Sequence, residues 1–274
     1  MNSLTDIFTR SKYYSASQRI GNLKGGKESK KVRVGLLLLL TTLVSGCITI
    51  YNPATQRREI YFIDDNSEIL IGKNLATQIL KQEKKVVRDK TLLLWVRNIG
   101  EKIAKVCDRN YLQYNFYILD KKEMNAFALP GGYVFVNRGL VEKTNKDELA
   151  FCLGHEIGHI CARHPVKRLQ VSLGWNLLLT LALKGTKYAD IKRGIDVIYN
   201  IIALGYSRED EFLADSLGVK YAYKAGFNPY GAISLLEKLR REGGEDNSLV
   251  FLRSHPPINR RIENVKEKIK EIKN

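Results

Sequence analysis

Phe151-Cys152-Leu153-Gly154-His155-Glu156-Ile157-Gly158-His159 places two of the chain's 4 histidines four residues apart, around a glutamate. In a helix, positions i and i+4 share a face about 5–6 Å apart, so both imidazoles can hold one zinc ion. Glu156 leaves the helix roughly 100° from His155, towards a metal-bound water rather than the metal. That suits a general base for hydrolysis. At this chain's own His and Glu frequencies, an accidental HExxH arises on the order of once in 300 such sequences. The alternative is a surface helix with two solvated histidines. Asn145 and Glu148 have capping-box spacing and Asp147 adds acid to the first turn, which predicts a helix from there. Pro165 disfavours helical geometry at His164 and ends that helix near Arg163.

Zinc needs a third protein ligand. His164, nine residues beyond His155, points to the opposite side of the helix. Cys152 lies on the metal-facing stripe, but a buried thiol suits packing above the site. A second helix offers a better donor, in Tyr206-Ser207-Arg208-Glu209-Asp210-Glu211-Phe212-Leu213-Ala214-Asp215-Ser216-Leu217-Gly218. Ser207 and Asp210 have capping-box spacing. Glu211, Asp215, Gly218 and Ala222 then share one face, two carboxylates followed by small residues that permit close approach to another helix. Glu211 is the predicted third ligand. Asp215, one turn on, can orient a ligating imidazole or donate a proton. Glu209 and Asp210 read as an acidic first turn favoured by the helix dipole, and the same reading is the alternative for Glu211 and Asp215.

HEIGH followed by EFLAD resembles the zinc metalloendopeptidase family of the CAAX prenyl protease, HtpX, BepA and LoiP. Residues 125–140, Ala225-Gly226-Phe227-Asn228-Pro229 and Ser254-His255-Pro256-Pro257 are similar to its other landmarks, so the resemblance spans residues 60–270. It implies His155, His159 and Glu211 as ligands of one zinc ion per chain, Glu156 as catalytic base and an active-site role for Asp215. It also implies that His255 sits near the metal cleft, steadying the tetrahedral intermediate or blocking the open zinc position. The alternative for His255 is a polar residue ahead of a helix start at Pro256-Pro257. The expected fold is α+β and mainly helical, a minimal gluzincin-type zinc peptidase domain with a small β-sheet edging the cleft. Tyr114–Leu119 and Tyr133–Val136 read as strands, with a turn at Pro130-Gly131-Gly132. An exposed edge at Asn125, Ala126, Phe127 and Ala128 would bind extended peptide through backbone hydrogen bonds, as in the family; an ordinary structural hairpin is the alternative.

The N-terminus bears on location. Lys27, Lys30, Lys31 and Arg33 precede an apolar run of 11 residues from Val34 to Val44. That is short for a membrane span of ~20 residues but right for a signal-peptide core. Leu43-Val44-Ser45-Gly46-Cys47 resembles a bacterial lipoprotein box, which implies a lipidated Cys47; an uncleaved signal anchor is the alternative. The leader ahead of the apolar core is long for such a signal. The expected organisation is a signal peptide over 1–46, a tether over 47–66 and a single zinc peptidase domain over 67–274. The expected location is the periplasmic face of a bacterial envelope, anchored to the outer membrane, as Ile48 after the cysteine favours. Residues 47–274 hold 37 basic and 27 acidic side chains, a formal +10. That excess suits anionic headgroups or simply lysine-rich solvated faces. No nucleic-acid module is visible, and the sequence sets no oligomeric state. Cys107 can pair with Cys152 or Cys161, which lie on opposite faces of one helix and cannot bond to each other within it.

Helices are expected at 67–85, 90–107, 171–183, 195–204 and 229–241, and a stripe of Ile258, Ile262, Val265, Ile269 and Ile272 predicts a final helix docked on the core. Residues 171–183 and 195–204 fall short of spanning length, leaving buried core or a membrane-leaning surface. The implied function is zinc-dependent hydrolysis of peptide bonds in misfolded or unassembled envelope and outer-membrane proteins. The rival is a chaperone or assembly factor for outer-membrane proteins, with proteolysis gated or rare.

Overall fold

Asn145 starts the central helix as its sequence requires. Its side chain accepts from the backbone N–H of Asp147 and Glu148, and Glu148 reaches back to the N–H of Asn145 at 2.9 Å. In this computed structural model the described residues are 48–61, 63–82, 86–171, 205–243, 255 and 258–274. They lie within one compact unit, Cys47–Asn274. The leader, Cys47 and most of the apolar stretches at 171–183 and 195–204 fall outside the described residues.

The described residues open with an antiparallel hairpin of β1 (Ile48–Asn52) and β2 (Arg57–Tyr61), in a stretch expected to be tether. Helices α1 (Asp65–Gln82) and α2 (Lys90–Ala104) follow, the second capped by Asp89. Next come β3 (Asn115–Leu119), β4 (Ala126–Leu129) and β5 (Tyr133–Asn137), which form a sheet ordered β3-β5-β4. β3 runs parallel to β5, and β4 antiparallel. A short turn at Pro130–Gly132 joins β4 to β5, with Gly131 at φ 71°. A side chain on Gly131 would strike the backbone of Ile69 in α1. The remaining elements are α3 (Arg138–Lys143), α4 (Lys146–Cys161), α5 (Arg208–Lys224), α6 (Gly231–Gly243) and α7 (Ile258–Lys273). The described residues are α+β and mainly helical, as expected, and no helix among them is long and apolar enough to cross a membrane.

Strand alternation gives the sheet two apolar faces. Phe116, Ile118, Ala126, Ala128, Val134 and Val136 meet the main core with α2, α4, α5, α6 and α7. Leu119, Phe127, Leu129 and Phe135 meet Ile71, Leu75 and Ile79 of α1. The sheet is therefore a middle layer between the main core and α1. β4 is the edge strand, and Asn125, Ala126, Phe127 and Ala128 around it are buried between the layers on its two faces.

α4 is buried on every side from Glu148 to Cys161. It closes at Cys161, and the chain reverses through Arg163 at φ 56° before helical geometry resumes over residues 164–171. Pro165 sits in the first turn of that segment, where its missing N–H costs nothing. α7 buries Ile262, Val265 and Ile269 as its spacing predicts, each worth about 1.5–3 kcal/mol when taken from water.

Candidate metal centre

The site forms where α5 crosses α4 at close range. A Cβ on Gly154 would lie 2.9 Å from the Gly218 carbonyl oxygen, and one on Gly218 the same distance from the His155 nitrogen. Only glycine at both positions lets the backbones approach so closely. The small residues read from the α5 wheel have that effect, and they carry Glu211 to the histidines.

Four ligand-type atoms from His155, His159, Glu211 and His255 lie within 4.8 Å of one another, all in buried residues. Nε2 of His155 is 3.0 Å from Nε2 of His159 and 3.3 Å from Nδ1 of His255. Glu211 places Oε1 2.8 Å from Nδ1 of His255 and 3.4 Å from Nε2 of His159, and its Oε2 is 3.6 Å from Nε2 of His155. Asp215 does not join this group. It lies behind His155, with Oδ1 2.9 Å from Nδ1, on the side of the ring away from the cluster. Cys152 is buried but outside the cluster. Cys107, Cys152 and Cys161 are free thiols, and those of Cys107 and Cys161 both contact the Tyr114 hydroxyl.

Burial lowers the His159 pKa to about 3, which keeps its ring neutral and able to donate a lone pair. For Glu211 burial works the other way, but His255 and Arg261 outweigh it and hold the carboxyl well below its ordinary range. Glu156 has no comparable support. Burial raises its pKa, and neither carboxylate oxygen has a hydrogen-bond partner among the described residues; Nε2 of His255 lies 3.8 Å from Oε1.

This donor set fits a zinc ion. Imidazole nitrogens and a carboxylate are its usual ligands. Glu156, Glu211 and Asp215 face one buried guanidinium, that of Arg261, an imbalance that suits a divalent cation when the histidines are neutral.

Three partners of the site were not read from the sequence. Arg261 is wholly buried, grips Asp215 with Nε at 2.8 Å and Nη2 at 2.7 Å, and sets Nη1 3.0 Å from Glu211. Its position three residues after Ile258 and four before Val265 put it on the apolar stripe, and that was the available signal. His164 does not point to the opposite side as expected: the helix ends at Cys161 and the chain turns through Arg163 at φ 56°, which brings Nδ1 2.8 Å from Nδ1 of His159 and Nε2 3.1 Å from Asp210. Tyr206 stacks on His159 with ring centres 4.0 Å apart, and the Arg168 guanidinium lies over the same tyrosine at 4.5 Å.

Comparison with known proteins completes the picture. The mitochondrial metalloendopeptidase OMA1 of Schizosaccharomyces pombe is 27% identical over 81% of this chain and 66% of its own length. The OMA1 of Saccharomyces cerevisiae is 27% identical over 94% and 83%. The β-barrel assembly-enhancing protease of Yersinia pestis is 24% identical over 76% and 45%. The chain thus spans just under two thirds of the fission-yeast relative and less than half of the Yersinia one. These likenesses overturn the periplasmic, outer-membrane location expected above, because the two relatives aligned over 81% and 94% of the chain are named as mitochondrial. A basic leader poor in acid is a composition shared by bacterial and mitochondrial targeting segments, so it did not discriminate between them. The sequence model of peptidase family M48 matches residues 92–269, from the second helix to the last, and the chain belongs to that family.

Proposed function

We propose that this chain is a zinc-dependent endopeptidase. One observation carries the reading: His155, His159 and Glu211 converge on one point, beside a buried glutamate whose oxygens have no hydrogen-bond partner among the described residues. His155 and His159 would hold the ion through Nε2 and Glu211 through its carboxylate. A zinc ion there supplies Lewis acidity, polarising the scissile carbonyl and acidifying water. Glu156 accepts the proton of the attacking water and returns it to the leaving nitrogen; its raised pKa brings it closer to the working pH, where a base and acid in turn is most effective. Asp215, clamped by Arg261, orients His155. His255 aims Nδ1 at the same point and Nε2 at Glu156, a position from which it steadies the tetrahedral intermediate or competes for the fourth ligand position.

The substrate reading is unfolded or misassembled polypeptide. The name of the β-barrel assembly-enhancing relatives supports it, and so does β4, an edge strand of the kind that can add an extended peptide. The test is zinc analysis of the full chain, paired with cleavage of unfolded casein, a Glu156→Gln variant and a chelator control. One zinc per chain, with cleavage lost in both controls, is the expected result. A folded chain that takes up no zinc overturns the reading.

A further inference from the structure

We infer that His164 and Asp210 form a relay that positions His159 for metal binding, an inference that rests on the zinc reading above. Nε2 of His159 faces the cluster, 3.0 Å from His155 and 3.4 Å from Glu211. For Nε2 to present a lone pair there, the neutral ring must carry its proton on Nδ1. Nδ1 lies 2.8 Å from Nδ1 of His164. The His159 N–H therefore needs a lone pair on His164 Nδ1, which sends the His164 proton to its own Nε2. Oδ1 of Asp210 lies 3.1 Å from that atom, where it would accept. In this arrangement each N–H donates and each facing atom accepts.

His155 follows the same logic in a single step, with Asp215 at its Nδ1. His159 reaches its carboxylate through a second imidazole. His164 is buried and Asp210 is one third exposed, so the relay runs from the cluster to the surface. Asp210 precedes Glu211 in the first turn of α5, so one turn carries both a ligand and the end of the relay. The stacked ring of Tyr206 restrains rotation of His159 and leaves its edge contacts to select the tautomer. Partners of this kind fix ring orientation and raise the basicity of a ligating histidine.

Zinc affinity of the full chain, by competition with a chelator, tests the inference alongside nitrogen-15 NMR of His159 in metal-free protein. His164→Leu should weaken zinc binding about 10–100-fold. His164→Gln should stay within about threefold of wild type, because its carbonyl accepts from His159 and its amide donates to Asp210. Asp210→Ala should cost less than His164→Leu. Combined with His164→Leu it should add nothing, since it acts through the ring already removed. The spectrum should show the proton on Nδ1 of His159 in wild type and His164→Gln, and a mixture of tautomers in His164→Leu. Equal losses for Leu and Gln would reduce His164 to packing, and losses that multiply in the double variant would make Asp210 independent of it; either overturns the relay. If wild type bound no zinc, the zinc reading would fall separately. The spectrum would still decide the relay, which a proton on Nε2 of His159 overturns.

Discussion

Two clusters of buried charge share helix α4, and they are built to opposite rules. At its C-terminal end, Glu68 accepts from both Nη atoms of Arg109 at 2.9 Å, from Nε of Arg163 at 2.9 Å and from the Gly131 N–H at 3.1 Å. Asp65 accepts from Nη2 of both arginines, Arg109 Nε donates to the Tyr111 hydroxyl, and Arg109 Nη1 also caps the Ile160 carbonyl. Two carboxylates meet two guanidiniums, and Arg163 packs over Tyr61, which together hold its left-handed backbone. Two turns earlier, three carboxylates face one guanidinium, and the Glu156 carboxyl has no hydrogen-bond partner among the described residues. Burial of charge is common to both clusters. Unmatched charge and orphaned oxygens belong only to the second, and that difference marks where the chemistry is.

The comparison breaks or holds on substitution. Glu156→Gln should lower peptide hydrolysis by about 10²–10⁴-fold, with zinc still bound. Its melting temperature should hold or rise, because an unpartnered buried charge is removed. A clear fall in stability would mean that Glu156 is structural after all. Glu68→Ala should behave in the opposite sense, costing about 3–5 kcal/mol in denaturant unfolding by stranding two buried guanidiniums. Material that stays folded should keep its zinc stoichiometry. Loss of zinc at unchanged stability would merge the two clusters into one functional unit.

Gly218→Ala sharpens the contrast, because it sits at the active cluster without carrying any charge. Its Cβ would meet the His155 backbone at 2.9 Å and push α5 from α4. The expected cost is about 1–3 kcal/mol of overpacking, together with weaker zinc binding as Glu211 moves from the histidines. Zinc titration beside a melt would separate the two effects.

What was legible in the sequence was what is local. The start of α4 follows from Asn145 and Glu148, the face of α5 from Glu211, Asp215 and Gly218, and β3 and β5 from their aromatic and β-branched runs either side of Pro130-Gly131-Gly132. Long-range partners left weaker traces. Asp210 read as an ordinary acid in a first turn, and nothing near it in sequence announces His164, 46 residues earlier. Arg261 stood in the apolar stripe of α7, but a stripe predicts burial without naming the carboxylates that make a buried arginine tolerable. The hairpin at 48–61 was missed because its alternation is short and two-sided, with Arg57, Arg58 and Ile60 interleaved.

Glu148 provides the mildest test, since it belongs to neither cluster yet is a matched charge like Glu68. It completes the α4 cap, accepts from Ser234 and Lys238 of α6, and ties two helices together. Burial raises its pKa, but Lys238, Ser234 and the Asn145 N–H overcome that and leave it below the ordinary 4.5. A carboxyl depressed on folding stabilises fully above its unfolded pKa and loses that contribution as pH falls through the folded value. The acid limb of the stability curve, below about pH 4.5, should therefore be shallower in Glu148→Gln than in wild type. Above neutral pH the variant should be less stable by about 1 kcal/mol, a cap and an ion pair whose lysine is still partly exposed. Curves that stay parallel through the acid range would show that Glu148 is not held ionised by folding, and that matching a buried carboxylate does not by itself make it structural.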